Sequence, residues 1–253
     1  MMQQLKAAAQ QQTTGAFAPD DIGTLSAWFD ASDQATITDT AGAVTQWDDK
    51  SASGFDVTPP NASPTTGVTT RNSLNVMDFT GGSMRLQTAG QAIAYGALQI
   101  FSAFAVVAPA SSGVLGIAGN HNDGSNKAGP QFLRVNAWDV EAVRVRQSVV
   151  TDGAGVTISA DTWGIAAARM TTTTLETYWN GTTDGSTAMS TTNTTPIGTA
   201  TTLAIGDCTT FANVGFDGPI AEVVIFAEDL TDSEMNDVGN YLASKWALTW
   251  SDL

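Results

Sequence analysis

Histidine and cysteine are almost missing from this chain: His121 and Cys208 stand alone among 253 residues. A single cysteine excludes an internal disulfide, so the fold must rest on packing and hydrogen bonds. A single histidine leaves any Ser–His or Cys–His site with one candidate base, and it starves zinc of its usual ligands. His121 falls in Gly119-Asn-His-Asn-Asp-Gly-Ser-Asn126, a loop by composition, while Cys208 follows a strand run. A surface imidazole and a buried inert thiol are the expected roles. Basic residues are also scarce, 10 against 25 acidic ones, for a formal net charge of -15. Charge of that sign repels phosphate backbones and anionic lipid, which argues against nucleic acid and membrane surfaces as partners. No stretch approaches the roughly 18 consecutive apolar residues of a membrane-spanning helix.

What remains is a chain in which charged residues make up only 14% and Thr, Ser, Asn and Gly supply most of the polar surface. Its length suits one large β-sandwich as well as two domains. Residues 1–20 stand apart: Ala, Gln and Thr dominate, and Leu5 and Phe17 are the large apolar side chains. Such a segment has helix propensity but no apolar stripe, so it needs something to dock on. We therefore divide the chain into an arm, 1–20, and a body, 21–253. The start also lacks the apolar centre of a cleaved leader, so a protein working outside the cell would need another route, of which lysis of the producing cell is one.

The body reads as short β runs broken by Gly, Asn, Asp and Pro. Leu25–Asp30, Ala43–Trp47 and Leu74–Phe79 are early strands, and Ile100–Ala108 is apolar enough to be buried on both faces. Further runs are Val114–Ala118, Phe132–Val135, Ala142–Arg146, Thr162–Met170, Leu175–Trp179, Leu203–Gly206 and Ile220–Phe226. Tyr178-Trp-Asn-Gly181 ends a strand on Asn-Gly, a pair that tolerates the positive φ of a tight hairpin. Many short strands without helices between them predict an all-β antiparallel sandwich. One helix is expected near the C-terminus. Thr231-Asp-Ser-Glu234 is a capping box, and Met235, Val238, Tyr241, Leu242, Lys245 and Trp246 follow at helical spacing.

Four stretches carry a resemblance. They are Pro19-Asp-Asp-Ile22 with Leu25-Ser-Ala-Trp-Phe-Asp-Ala-Ser-Asp33; Trp47-Asp-Asp-Lys-Ser51 with Gly54; Val76-Met-Asp-Phe-Thr-Gly81; and Ile220-Ala-Glu-Val-Val-Ile-Phe226 leading into Leu230-Thr-Asp-Ser-Glu234. In this order the chain resembles the laminin-G-like, concanavalin A-like jelly-roll modules, especially those encoded near bacteriophage structural genes. The resemblance implies a jelly-roll sandwich with a C-terminal helix, and a virion protein whose arm docks on other virion proteins. It implies no single ligand, because lectins, adhesins, hydrolases and spacers share the fold.

Each chemistry the fold could host meets a different supply of residues. Glycosidases use two carboxylates at a set separation; related glucanases present them as Glu-x-Asp-x-x-Glu, and none of Glu141, Glu176, Glu222, Glu228 or Glu234 heads that pattern. We expect no enzyme. Laminin-G-like modules often hold Ca2+ at the sandwich rim; Asp123, Asp207 and Asp217 are the candidate ligands, with Asn120, Asn122 and Asn126 offering neutral oxygens. A solvated loop is the plainer reading there. Glycan binding needs an aromatic platform with Asn and Asp around it. Trp28, Trp163, Trp179 and Trp246 read as core, and Trp47 as the plug of an edge. Trp138, between two strand runs, is the candidate platform, with Asn136, Asp139, Asn120 and Asn122 as polar partners. The expectation is a non-catalytic virion protein on the phage particle surface, a homo-oligomer binding host-surface glycan as a tail-fibre or tail-tip adhesin. A capsid decoration or head-fibre protein is the near alternative; a carbohydrate-active hydrolase and a free bacterial lectin are the alternatives of another class.

Overall fold

Alternation of inward and outward side chains builds this molecule, and it is clearest in the strands that carry apolar residues at every position. The computed structural model describes residues 16–80, 84–94, 100–113, 115–121, 131–136, 139–144, 149–151, 158–188, 202–207 and 215–253. Among them lie β1 (Leu25–Asp30), β2 (Ile37–Thr40), β3 (Ala43–Trp47), β4 (Val57–Thr58), β5 (Thr65–Arg71) and β6 (Leu74–Phe79). There follow β7 (Leu86–Thr88), β8 (Phe101–Val107), β9 (Leu115–His121), β10 (Gln131–Asn136), β11 (Asp139–Arg144) and β12 (Val149–Thr151). The last strands are β13 (Gly164–Met170), β14 (Thr174–Trp179), β15 (Thr182–Ala188), β16 (Thr202–Ile205) and β17 (Gly218–Phe226), before α1 (Asp232–Trp246).

The ladders between these strands are antiparallel and fall into two layers. In the first, β15, β14, β13, β8 and β17 pair in that order. The far edge of β17 is shared by β1, along Glu222–Phe226, and by β6, along Gly218–Ile220, with β5 beyond β6. The second layer runs β12, β11, β10, β9, β16, β7, β4, β3, β2. A single pairing of Ala43 with Thr65 joins the layers at one edge. Between the layers lies one apolar cluster that includes Phe29, Trp47, Phe79, Phe101, Phe132 and Ile225. The outer face of the first sheet carries a second cluster, in which Phe104, Val106 and Val224 meet Met235, Val238, Leu242 and Trp246 of α1. Phe101, Ala103, Ala105 and Val107 thus face the second sheet while Phe104 and Val106 face the helix. Strand β8 is buried throughout for that reason, as its composition predicts.

The capping box forms as read: Thr231 Oγ1 accepts from the Glu234 amide, and the Glu234 carboxylate accepts from the Thr231 amide at 2.8 Å. Asn180 and Gly181 both take positive φ and turn β14 into β15. Other expectations need correction. Strands β2, β4, β7 and β12 escape the sequence reading because they are two to four residues long, and β5 and β15 because they are Thr-rich with little apolar alternation. Trp47 is no edge plug but is fully buried between the sheets. Trp163 precedes β13 and is half-buried, whereas Trp28, Trp179 and Trp246 are core as expected. Gly119-Asn-His121 belongs to β9 rather than to a loop, because Thr202–Ile205 pairs along it. Phe17, assigned to the docking arm, packs edge-to-face on Tyr241 of its own helix with ring centroids 6.3 Å apart. Burial of that ring on α1 places it with the body. Leu5 lies outside the described residues.

Candidate functional site

Three of the four stretches that carry the family resemblance, the opening one, the Trp47–Ser51 turn and the closing one, converge on one polar cluster under α1. In β1, Trp28 and Asp30 point to the same side because a strand repeats every two residues. Across the ladder Asp30 faces Glu222 of β17. Glu222 is fully buried and accepts from the indole Nε1 of Trp28 at 2.7 Å, the indole Nε1 of Trp246 at 2.7 Å, Lys245 Nζ at 2.8 Å and the Tyr241 hydroxyl at 3.1 Å. Lys245 Nζ also meets Asp30 Oδ1 at 2.7 Å, and Lys50 Nζ meets Asp30 Oδ2 at 3.0 Å and Asp33 Oδ2 at 2.8 Å. The Lys50 ammonium lies over the Trp28 ring, 4.5 Å from its centroid. Burial pushes the Glu222 carboxyl above its ordinary value, against the pull of Lys245. Burial also works to raise Asp30, but the Lys245 ammonium, with Ser32 and Lys50, holds it below the usual range. This fully buried carboxylate, its oxygens filled by protein donors, fastens β1, β17 and α1 together.

The Trp47-Asp-Asp-Lys-Ser51 turn serves the same end. The carboxylate of Asp49 accepts from the amides of Trp28 (2.8 Å), Ser51 (2.9 Å) and Phe55 (3.0 Å) and from the Ser51 hydroxyl (2.7 Å). It thereby ties the turn to β1 and aims Lys50 at Asp30. The resemblance therefore rests on residues that make the fold. Two further glutamates are likewise spent on structure: Glu176 accepts from Arg169 Nη2 at 2.8 Å and the Tyr178 hydroxyl at 2.8 Å, and Glu234 closes the capping box.

The residues expected to bind glycan or Ca2+ are placed as follows. Asn136 and Asp139 are register partners at one end of the β10–β11 hairpin, each half-buried. Trp138, Asn122, Asn126, Asp123 and Cys208 lie outside the described residues. Asn120 is buried on β9, and its amide accepts from Ile93 N at 3.1 Å and donates to Ile93 O at 2.8 Å. It clips the segment around Ile93 to the sheet instead of facing a ligand; the correction follows from the strand continuing through His121. Asp207 follows β16, with its carboxylate 3.5 Å from Arg85 Nη1. Phe216 N donates to Gly206 O at 2.7 Å, which brings the segments carrying Asp207 and Asp217 together at one rim. Among the described residues no three His, Cys, Asp or Glu side chains cluster closely enough to hold a metal ion.

An open cleft of about 300 Å³ lies elsewhere, lined by Gln34, Ile37, Asp39, Gly42, Thr66 and Gly67. It forms where the β2–β3 turn leans on β5. Ala41 and Gly42 both take positive φ, and Thr66 N donates to Gly42 O at 2.9 Å. Strand β5 leaves its register with β6 between Thr66 and Thr70. The buried Asn75 fills the resulting gap, accepting from Gly67 N at 2.8 Å and donating to Thr66 Oγ1 at 2.8 Å and Ala31 O at 2.9 Å. The cleft wall is thus braced from behind by a satisfied amide.

Two antiparallel layers, an apolar interior between them and a C-terminal helix sealing one outer face define a jelly-roll-type sandwich. Residues 102–236, over half of the chain, match the profile of the concanavalin A-like lectin/glucanases superfamily (Laminin_G_3), and the chain belongs to that family. Among solved structures, it is similar to domain 4 of AbnA, a GH43 extracellular arabinanase from Geobacillus stearothermophilus, in complex with arabinotriose, with a TM-score of 0.59 at 15% identity over 85% of this chain and 98% of that one. It is similar, too, to the binding domain of botulinum neurotoxin DC in complex with rat synaptotagmin II, with a TM-score of 0.59 at 12% identity over 87% of this chain. A third is Trypanosoma rangeli sialidase in complex with sialic acid, with a TM-score of 0.56 at 13% identity over 90% of this chain. This chain spans 52% of the toxin domain and 34% of the sialidase. At such identities the likeness concerns the fold. No curated protein matches the sequence.

Proposed function

We propose that this chain is a non-catalytic, glycan-binding structural protein of a phage particle, a tail-fibre or tail-tip adhesin held by its N-terminal arm. The observation that supports a binding role is the fate of the carboxylates. Glu222, Glu176, Glu234, Asp30 and Asp49 are all engaged by protein donors, and the open cleft is lined by one carboxylate, Asp39, which accepts from Gly42 N at 2.8 Å. Glycoside hydrolysis needs two carboxyl groups flanking the scissile bond, roughly 5–9.5 Å apart. Family membership supports a saccharide as the ligand class, since domain 4 of the arabinanase was solved with arabinotriose and the botulinum neurotoxin D binding domain with N-acetylneuraminic acid.

The particle setting rests on the resemblance of the opening and closing stretches to modules encoded beside phage structural genes, and on the Ala/Gln-rich arm. Because Phe17 and Ala18 pack on the body, we assign docking to residues 1–15. Deleting residues 2–15 should leave the melting transition of the body unchanged and abolish incorporation into particles; normal occupancy of the truncated protein would end the arm reading. A capsid position uses the same arm, and immunogold labelling of intact particles separates head from tail. Incubation with polysaccharide should give binding without new reducing ends, and turnover would replace the adhesin by a hydrolase.

A further inference from the structure

We propose that the cleft between the β2–β3 turn and β5 is the saccharide site, and that it takes an uncharged sugar rather than a sialylated or otherwise anionic one. This rests on the glycan-binding reading above and assigns it a place and a ligand charge. The lining offers what a neutral sugar uses. Gln34 presents an exposed side-chain amide and Asp39 an exposed carboxylate, while Ile37 contributes an apolar patch. Sites of this kind combine an apolar surface with a few fixed polar groups, and about 300 Å³ is the lower end of their size range.

The backbone is shaped for close approach. Gly67 is exposed with φ +79, and a side chain built there would meet nothing within 4 Å, so the space above it is open. Gly42, at φ +85, sits where a Cβ would come within 3.3 Å of Thr66 O. Gly42 thus lets β5 approach the β2–β3 turn closely, while Gly67 leaves the main chain beside it unscreened by a side chain. Because Asn75 braces Thr66 and Gly67 from the buried side, the cleft needs little ordering on binding.

Charge decides the class of sugar. Recognition of a carboxylated sugar calls for a cation, commonly a bidentate arginine. The lining holds none, and its one ionisable group is Asp39. The net charge of -15 adds long-range repulsion of anions. Electrostatically, the cleft is thus unlike a site for sialic acid.

The full chain, wild type and Gln34→Ala, would be titrated calorimetrically with arabinotriose, cellotriose and N-acetylneuraminic acid and applied to an array of neutral and sialylated glycans. A second variant, Ile37→Trp, fills the cleft without touching Gln34. The expected result is retention of neutral glycans, with affinity falling about tenfold in each variant through loss of a hydrogen bond or of space. Both variants should still melt cooperatively, Ile37→Trp at a somewhat lower temperature because Ile37 also packs on the core, which shows that they fold. Neutral binding that neither variant weakens overturns the cleft assignment and leaves glycan binding standing. Retention of sialylated glycans alone overturns the charge argument. If neither the array nor the titrations show binding, the glycan reading and this site fall together.

Discussion

Phe29, Phe79 and Phe101 look from the first sheet toward the second across an apolar interface, whereas Trp28, Asp30 and Glu222 look from the same layer toward α1. The same strands serve both faces, with parity deciding which residue goes where except at the bulge in β17, which sends both Ala221 and Glu222 toward α1. Between the sheets, stability comes from burial of large side chains, at about 1.5–3 kcal/mol for each one fully removed from water. Under the helix, burial is combined with a network in which two ammonium groups and three carboxylates alternate, framed by indole and phenol donors. Burial is forgiving about angle, so the inter-sheet face tolerates small shifts. A charge network is not, and it gives the helix one angular setting on the sheet.

Removing the hub of that network should have the largest effect. Glu222→Ala strands two indole N–H groups and leaves Lys245 with Asp30 as its one anionic partner among the described residues, opening a cavity as well. Breaking a buried pair from one side costs about 3–5 kcal/mol. Denaturant unfolding should show a loss of that size, and the variant Glu222→Leu combined with Lys245→Met should recover part of it. A single-variant loss below about 1 kcal/mol would mean that the helix face, like the inter-sheet face, rests on apolar contact alone.

A finer test compares two buried tryptophans. Trp246 donates its indole N–H to Glu222 at 2.7 Å, while Trp47 Nε1 is buried without a hydrogen-bond partner among the described residues. Both rings are fully buried, so replacement by Phe removes similar volume from each face. Trp246→Phe also removes a hydrogen bond to a charged group, about 1.5–3 kcal/mol, whereas Trp47→Phe removes an unsatisfied donor and regains part of what the cavity costs. Trp246→Phe should therefore be the more destabilising of the two in the same unfolding assay. Equal losses would show that the indole bonds to Glu222 contribute nothing net.

The contrast between the faces also explains what could be read in advance. Alternation and continuous apolar runs mark β1, β6, β8, β13, β14 and β17, because those strands bury side chains. The capping box and the stripe from Met235 to Trp246 mark α1. Two anomalies pointed at the network: Lys245 sits on an apolar stripe, and Glu222 interrupts Ile220–Phe226. Sequence shows that each is misplaced but not that they meet, since pairing them with Asp30 requires the register of β1 on β17. The cleft left no trace. Thr65–Arg71 has no buried face to give it a period, and its bulge depends on Asn75 reaching across the β5–β6 ladder. Asn120 misled for the opposite reason. Its neighbours Gly119, Asn122 and Asp123 have loop composition, yet the strand continues because β16 pairs along it, and the buried amide is satisfied by the main chain of Ile93.

The smallest predicted effect concerns the helix itself. If α1 is held by the network, its own N-terminal cap should matter only modestly, because the first turn is also gripped from outside. Arg169 donates to Leu230 O at 3.1 Å and to Asp232 Oδ1 at 2.6 Å, which anchors that turn to β13 independently of the cap. Thr231→Ala removes the hydroxyl that accepts from the Glu234 amide and should cost about 1 kcal/mol, the usual value for a lost cap. In amide hydrogen exchange, faster exchange should be confined to the first turn, with protection from Val238 onward unchanged because Tyr241, Lys245 and Trp246 still bind Glu222. Loss of protection along the whole helix would show that α1 is nucleated from its N-terminus, and the network would then follow helix formation rather than secure it.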